Sequence, residues 1–235
     1  MQAIFHRKWI LVSALITSFT AQAALDEQPK LPDWAQLHFY AADNAKLKKV
    51  PSTGRVVFYG DSLFNAWPKL DAEFRANPHF IGRGIDGQTT AHMLTRWRSD
   101  VLALKPDVMV LLAGTNDLAQ NEGAGSPEQI LANISSMVEL AKVHGIKPII
   151  VSLLPAFDYP WRKGLQPAAK IVAINQGLRQ LCKETAVPYV DLHTSMRDAR
   201  NGMQAQYSSD GVHPNALAYQ FMREKINPVI AKLTR

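Results

Sequence analysis

Four short polar clusters stand out in the chain by what their side chains can do. Gly60-Asp61-Ser62-Leu63 offers a hydroxyl, and Gly84-Ile85-Asp86-Gly87 and Gly114-Thr115-Asn116-Asp117 offer hydrogen-bond donors. Asp210-Gly211-Val212-His213-Pro214 offers an imidazole with a carboxylate three residues before it. A hydroxyl becomes a nucleophile when a base takes its proton, and the base needs an acid that fixes its tautomer. Donor-bearing loops supply the remaining requirement, a place for the negative oxygen of a tetrahedral intermediate. Together these parts are the inventory of an acyl-transfer site. The Asp210 to His213 spacing lets the carboxylate fold back in a turn onto the ring nitrogen that faces away from the serine.

Taken singly, each cluster is ordinary turn chemistry: Gly and Asp end strands, and an Asx-turn before Pro214 opens a helix. Their positions relative to the surrounding elements set them apart. Five apolar runs read as strands: Arg55 to Tyr59, His79 to Arg83, Val108 to Leu112, Ile149 to Leu153 and Tyr189 to Asp191. Their β-branched content suits strands buried on both faces. Helical patterns alternate with them, from about Thr89 to Leu104, after the cap Ser126-Pro127-Glu128-Gln129 up to Gly145, from about Pro167 to Thr185, and from Asn215 with a bend at Asn227-Pro228. A weaker helical pattern covers Leu31 to Lys46. Alternating strands and helices predict an α/β fold, an open five-stranded parallel sheet with helices on both faces. Ligands of such folds bind beyond the carboxyl ends of the strands, where the four clusters fall.

In identity, order and position the clusters resemble the blocks of the SGNH hydrolases, the GDSL esterase and lipase family, over about residues 55 to 220. The resemblance implies a three-layer α/β/α sandwich of flavodoxin-like type and no metal or organic cofactor. It makes Ser62 the nucleophile, His213 the base and Asp210 its orienting acid, with the amides of Ser62 and Gly84 and the side chain of Asn116 as oxyanion donors. One departure is Gly82, where the family commonly carries asparagine. Ser62 also lacks a G-x-S-x-G elbow, which separates it from the α/β-hydrolases.

The 235 residues are 47% hydrophobic and 20% charged, an ordinary globular balance that excludes a disordered or collagen-like chain. His6, Arg7 and Lys8 precede an apolar run from Trp9 to Phe19 and then Ala21-Gln22-Ala23, the layout of a secretory signal peptide over residues 1–23. The run is shorter than the roughly 18 to 20 apolar residues of a membrane span. Residues 24–235 then form one exported domain, periplasmic or secreted. Losing Arg7 and Lys8 lowers the formal charge from +6 to +4, and the remaining basic residues are scattered, so no nucleic-acid stripe is expected. The single cysteine, Cys182, shares a helix face with Ile171, Ile174 and Leu178 and reads as a core thiol.

Three rival readings use the same residues. Gly82-Arg83-Gly84-Ile85-Asp86-Gly87 is a literal G-x-G-x-x-G, but it follows the second strand and has no acidic residue at the end of the next one. Asp191, His193, Asp210 and His213 could ligate zinc, which would leave the serine and asparagine clusters unexplained. A non-catalytic carbohydrate-binding module on the same fold is the third. The loop Pro155 to Gly164 carries Tyr159, Trp161 and Arg162, which could stack on a sugar, flank an acyl chain or meet an acidic group. Similar segments occur in members resembling platelet-activating-factor acetylhydrolases and short-chain acetylesterases. The expected substrate is a small-molecule, glycan or lipid ester with a short acyl group.

Overall fold

In a computed structural model, which describes residues 33–234, strands β1 (Val56–Gly60), β2 (Phe80–Gly84), β3 (Val108–Leu112), β4 (Lys147–Val151) and β5 (Tyr189–Val190) form one parallel sheet of order β2-β1-β3-β4-β5. The segment read as a signal peptide, residues 1–23, lies outside the described residues. The chain from Trp34 on is one compact unit. Among the described residues, no helix is long and apolar enough to cross a membrane.

Strand alternation divides the core into two halves. Val57, Tyr59, Met109 and Leu111 face helices Thr90–Asp100, Pro127–Val143 and Ala168–Thr185, meeting Met93, Trp97, Ile134 and Leu178. Val56, Phe58, Val108 and Val110 face the other way, onto Phe64, Trp67 and helix Ala216–Leu233 with Tyr219, Met222 and Ile226. The result is the three-layer α/β/α sandwich. Phe58 alone lies against Phe64, Trp67, Phe74 and Phe80, and truncating a ring buried this way costs about 3–5 kcal/mol. Cys182 is a buried core thiol, pushed up to about 11 by desolvation.

The expected β3 matches residue for residue, while others differ for local reasons. β4 ends at Val151 because Asn175 takes over the Leu153 backbone, its side chain accepting from Leu153 N (2.8 Å) and donating to Leu153 O (3.0 Å). Gly60 and Gly84 are the final paired residues of β1 and β2, in register with each other, not the first residues beyond them. The described part of the expected helix Leu31 to Lys46 becomes helical only at Ala41, after a turn in which Gln36 takes φ +54 and Gln88 donates to the Ala35 carbonyl (3.0 Å). Helix Ala216–Leu233 continues through Pro228.

What matters for chemistry is the strand order. β1 is followed by β2 on one side and, through β2, by β3 on the other. That reversal opens a crevice beyond the carboxyl ends of β1 and β3, the place where such sheets bind ligands. The turns carrying Ser62 and Asn116 both leave the sheet there.

Candidate active site

The turn after β1 is built by Asp61, which caps the short helix Ser62–Asn65: its Oδ1 accepts the Leu63 amide at 3.0 Å. Ser62 is thereby the first helical residue, and its Oγ lies 3.3 Å from His213 Nε2. His213 Nδ1 in turn lies 2.7 Å from Asp210 Oδ2. The other Asp210 oxygen accepts from Ser208 Oγ (2.9 Å), Val212 N (2.9 Å) and His213 N (2.8 Å). This is the fold-back turn that the three-residue spacing implies. Desolvation raises the Asp210 carboxyl, but the His213 ring, the two amides and the serine outweigh it and hold it at about 2. It is an anion over the whole useful pH range. The structure thus joins Ser62, His213 and Asp210 in one hydrogen-bonded line.

Gly84 borders the same turn with its Cα and not with its expected amide donor: Ile85 N–H faces the Gly60 carbonyl of β1, so the Gly84 N–H, one residue earlier in the ladder, points to the outer edge of β2. A Cβ there would collide with the backbone of Asp61, Phe64 and Asn65, so glycine at this position allows β2 to end against the serine-bearing helix. On the β3 side, Gly114 takes φ +119, a left-handed conformation that favours glycine, and sends the chain into helix Thr115–Leu118. Asn116 is buried there. Its Nδ2 donates to Asp61 Oδ2 (3.2 Å) and to the Gln88 carbonyl (3.0 Å), while its Oδ1 accepts from Asn121 (2.9 Å). The expected donor therefore stands at the nucleophile turn with both amide protons already engaged, and an oxyanion would share them.

Asp61 itself is fully buried. Burial pushes its carboxyl up to about 7, against the Leu63 amide and the facing His213, which lower it. Unfolded, an aspartate has released its proton by about pH 5. The folded state therefore holds the extra proton between about pH 5 and 7, and stability falls as pH rises across that window. In thermal melts, Asp61→Asn should gain on the wild type from pH 5 to 7.5. A constant difference between the two Tm values would show that Asp61 is ionised throughout.

The expected substrate-binding trio divides. Trp161 is 44% exposed, with its ring centroid 5.7 Å from that of His213. Tyr159 does not present a face for stacking: it is completely buried, 5.2 Å beneath Trp161. The reason is that Tyr159 belongs to the core cluster of Leu153, Ala156 and Ile171, and it supports the tryptophan from below. Arg162 is likewise committed, donating to the Gln120 carbonyl at 2.7 Å and tying its loop to the one after β3. A cavity of about 330 Å³, lined by Phe157, Lys163, Arg200 and Met203, opens on the Asp210 side.

Two of the three rivals lose their geometry here. The G-x-G-x-x-G lies on edge strand β2, and its middle glycine serves the close approach to the serine turn. Among the described residues no three His, Cys, Asp or Glu side chains are placed to hold a metal ion. Asp191 instead accepts from the Thr194 amide (3.0 Å) at the start of helix His193–Met196 and pairs with Arg179 (2.9 Å). Sequence reading missed Tyr40, Gln88 and Arg96, which contact the turns from outside. Arg96 had one visible signal, its place between the apolar Met93 and Trp97 with Asp100 one turn further on.

The GDSL-like Lipase/Acylhydrolase family matches residues 52–221. An acetylxylan esterase of Geobacillus stearothermophilus is 25% identical over 188 residues, 73% of this chain and 80% of its own. The uncharacterized lipoprotein YqeF of Bacillus subtilis (strain 168) is 33% identical over 120 residues, 44% of this chain, which spans about half (49%) of that protein's length. The crystal structure of a GDSL-like lipase from Bacteroides thetaiotaomicron VPI-5482 superposes with a TM-score of 0.81 at 38% identity, covering 84% of this chain and 98% of its own. With the sheet order, the serine turn and this match over most of its length, the chain belongs to the GDSL-like lipase/acylhydrolase family and is a carboxylic-ester hydrolase.

Proposed function

We propose that the protein hydrolyses short-chain acyl esters, acetyl esters foremost, through Ser62, His213, Asp210 and an acyl-enzyme intermediate. The observation that carries this reading is the continuous line from Ser62 Oγ to His213 and on to the Asp210 anion. His213 Nε2 takes the hydroxyl proton as Ser62 Oγ attacks the ester carbonyl carbon. The oxyanion meets the amide of Ser62 and the Asn116 side chain. On collapse of the intermediate, the imidazolium gives its proton to the departing alkoxide, leaving an acyl-serine. Water then attacks that acyl group, His213 accepts its proton, and the acid departs as Ser62 regains its hydrogen.

Acyl length and leaving group follow from the surroundings. Trp161 offers an exposed aromatic face beside His213, where the apolar side of a sugar ring or another flat alcohol would rest, and the acetylxylan esterase relative supports an O-acetylated saccharide. Export, read from residues 1–23 and supported by a lipoprotein among the relatives, would place the enzyme where such glycans and lipid esters are met. A panel of p-nitrophenyl esters from acetyl to palmitoyl, with O-acetylated saccharides and lysolipids beside it, tests the reading. Turnover should be highest from acetyl to butyryl; faster cleavage of palmitoyl than of acetyl esters would overturn it.

The Asn116 role has its own test. Asn116→Ala should lower kcat about a hundred- to a thousandfold, the usual consequence of losing one oxyanion donor. A loss below about threefold would leave the oxyanion to backbone amides alone.

A further inference from the structure

The chain beyond helix Thr115–Leu118 folds back onto Asn116, and the residue that makes the contact is Asn121, half-buried and outside the line of reacting groups. Asn121 Nδ2 donates twice, to Asn116 Oδ1 (2.9 Å) and to the Gly87 carbonyl (3.2 Å). Its backbone N–H donates to the Asn116 carbonyl (3.1 Å). Gln88, the neighbour of Gly87, completes the arrangement, because its carbonyl accepts from Asn116 Nδ2 at 3.0 Å. Asn116, Asn121 and the Gly87-Gln88 segment thus close a ring of three hydrogen bonds that joins the turn after β3 to the turn after β2.

Asn121 is itself held from behind. The peptide that leads into it has its oxygen on Arg162, which donates to the Gln120 carbonyl at 2.7 Å, and its N–H on Asn116. Gln120 takes φ +58, a left-handed conformation that a residue other than glycine keeps only where its surroundings hold it. The segment Trp161-Arg162 beside His213 and the amide of Asn116 are therefore linked through one short stretch of backbone.

We propose that Asn121 is a positioning residue for the oxyanion site, acting through the side-chain amide of Asn116. A primary amide carries two donors on nitrogen and an acceptor on oxygen, and a half-turn of its last torsion exchanges them. Only one of the two orientations presents N–H at the nucleophile turn. The Asn121 donor at Oδ1 selects that orientation, and the Gln88 carbonyl at Nδ2 agrees with it. The ring engages one Nδ2 proton. The other, whose contact with Asp61 Oδ2 is the longer at 3.2 Å, is the one that an oxyanion formed at Ser62 draws on. A hydrogen bond accepted at the amide oxygen also polarises the group and strengthens its N–H as a donor. The oxyanion charge is present in the transition state and weak in the bound ester, so the benefit falls on kcat and not on KM.

The inference rests on the ester-hydrolase mechanism proposed above, and the experiment separates the two. Full-length wild type, Asn121→Ala, Asn121→Asp, Asn116→Ala and the double variant Asn116→Ala with Asn121→Ala are compared for kcat and KM on p-nitrophenyl acetate, for inhibition by a trifluoromethyl ketone that forms a tetrahedral adduct, and for Tm. Asn121→Ala should lower kcat about tenfold, less than the loss of the donor itself, with KM within about twofold and ketone affinity reduced in step with kcat. In the Asn116→Ala background the same change should cost less than about twofold, because a residue that acts through Asn116 has nothing left to position. Asn121→Asp keeps the shape but only accepts when ionised, so at pH 8 its kcat should fall at least as far as that of Asn121→Ala. A wild type without turnover overturns both readings. An active wild type with a folded Asn121→Ala within twofold of it overturns this inference alone, as does a tenfold cost that persists without the Asn116 amide, or a kcat loss that leaves ketone affinity unchanged. If Asn121→Ala fails to fold, the isosteric Asn121→Asp decides the matter: kcat within twofold of wild type at pH 8 overturns the inference.

Discussion

Ser62→Ala should lower ester turnover by about 10⁴-fold or more in kcat, while leaving the protein folded. The loss is large because the nucleophile has no substitute within reach, and the oxyanion donors alone retain only a residual effect. The fold should survive for reasons visible at the turn. Asp61, not Ser62, caps the helix, alanine is the best helix former, and the serine hydroxyl bonds to the His213 ring, not to the backbone framework. No buried polar atom is orphaned, because His213 is about 40% exposed and can turn to water. Steady-state kinetics with a thermal melt on the same sample checks both halves. Turnover within tenfold of wild type would transfer the chemistry to another group.

Asp210→Asn should cost about 10⁴-fold in kcat through tautomer choice, although asparagine has the same shape. The geometry dictates which way the new amide points. At the Oδ1 position it would face three donors, Ser208 Oγ and the amides of Val212 and His213, so the amide nitrogen is driven to the Oδ2 position. There it donates to His213 Nδ1, which must then be bare, and the ring proton moves to Nε2. An Nε2 that already holds a proton cannot take one from Ser62. Because the Asp210 carboxyl is held at about 2, it stays an anion in mildly acidic solution and the wild type keeps its orienting acid there. Kinetics of Asp210→Asn from pH 5 to 9 decides it: a variant within tenfold of wild type would mean that the carboxylate does not orient the ring.

The parts of this site that the sequence discloses are those made by neighbours along the chain. Asp61 to Leu63, and Asp210 to Val212 and His213, are contacts two or three residues apart, and their spacing carries the geometry. β3 is legible because all five of its residues are apolar and buried. Contacts between distant segments leave no such trace. Tyr40 to Gly84 and Arg96 to Gly60 span 44 and 36 residues, and nothing local to a tyrosine or an arginine names its partner. Tyr159 misleads for the complementary reason. An aromatic in a polar loop reads as exposed, and only the packing of Leu153 and Ile171 around it shows that the loop dips into the core. The turn before the first helix, which starts at Ala41, belongs to the same class, since Gln88 reaches back 53 residues to hold its Ala35 carbonyl.

The brevity of β5 bears on how this protein behaves in company. An unpaired strand edge invites a strand from another molecule, and the hazard grows with its length. Here the outer edge belongs to Tyr189 and Val190 alone, paired to β4 at two positions before the chain turns away at Asp191. The opposite edge, at β2, is overlaid near its end by Tyr40 and Asp43, which engage Gly84 and Arg83. A sheet with one edge too short to nucleate on and the other partly covered resists edge-to-edge fibre growth, so concentrated preparations should stay clear without any engineered charge along the strands.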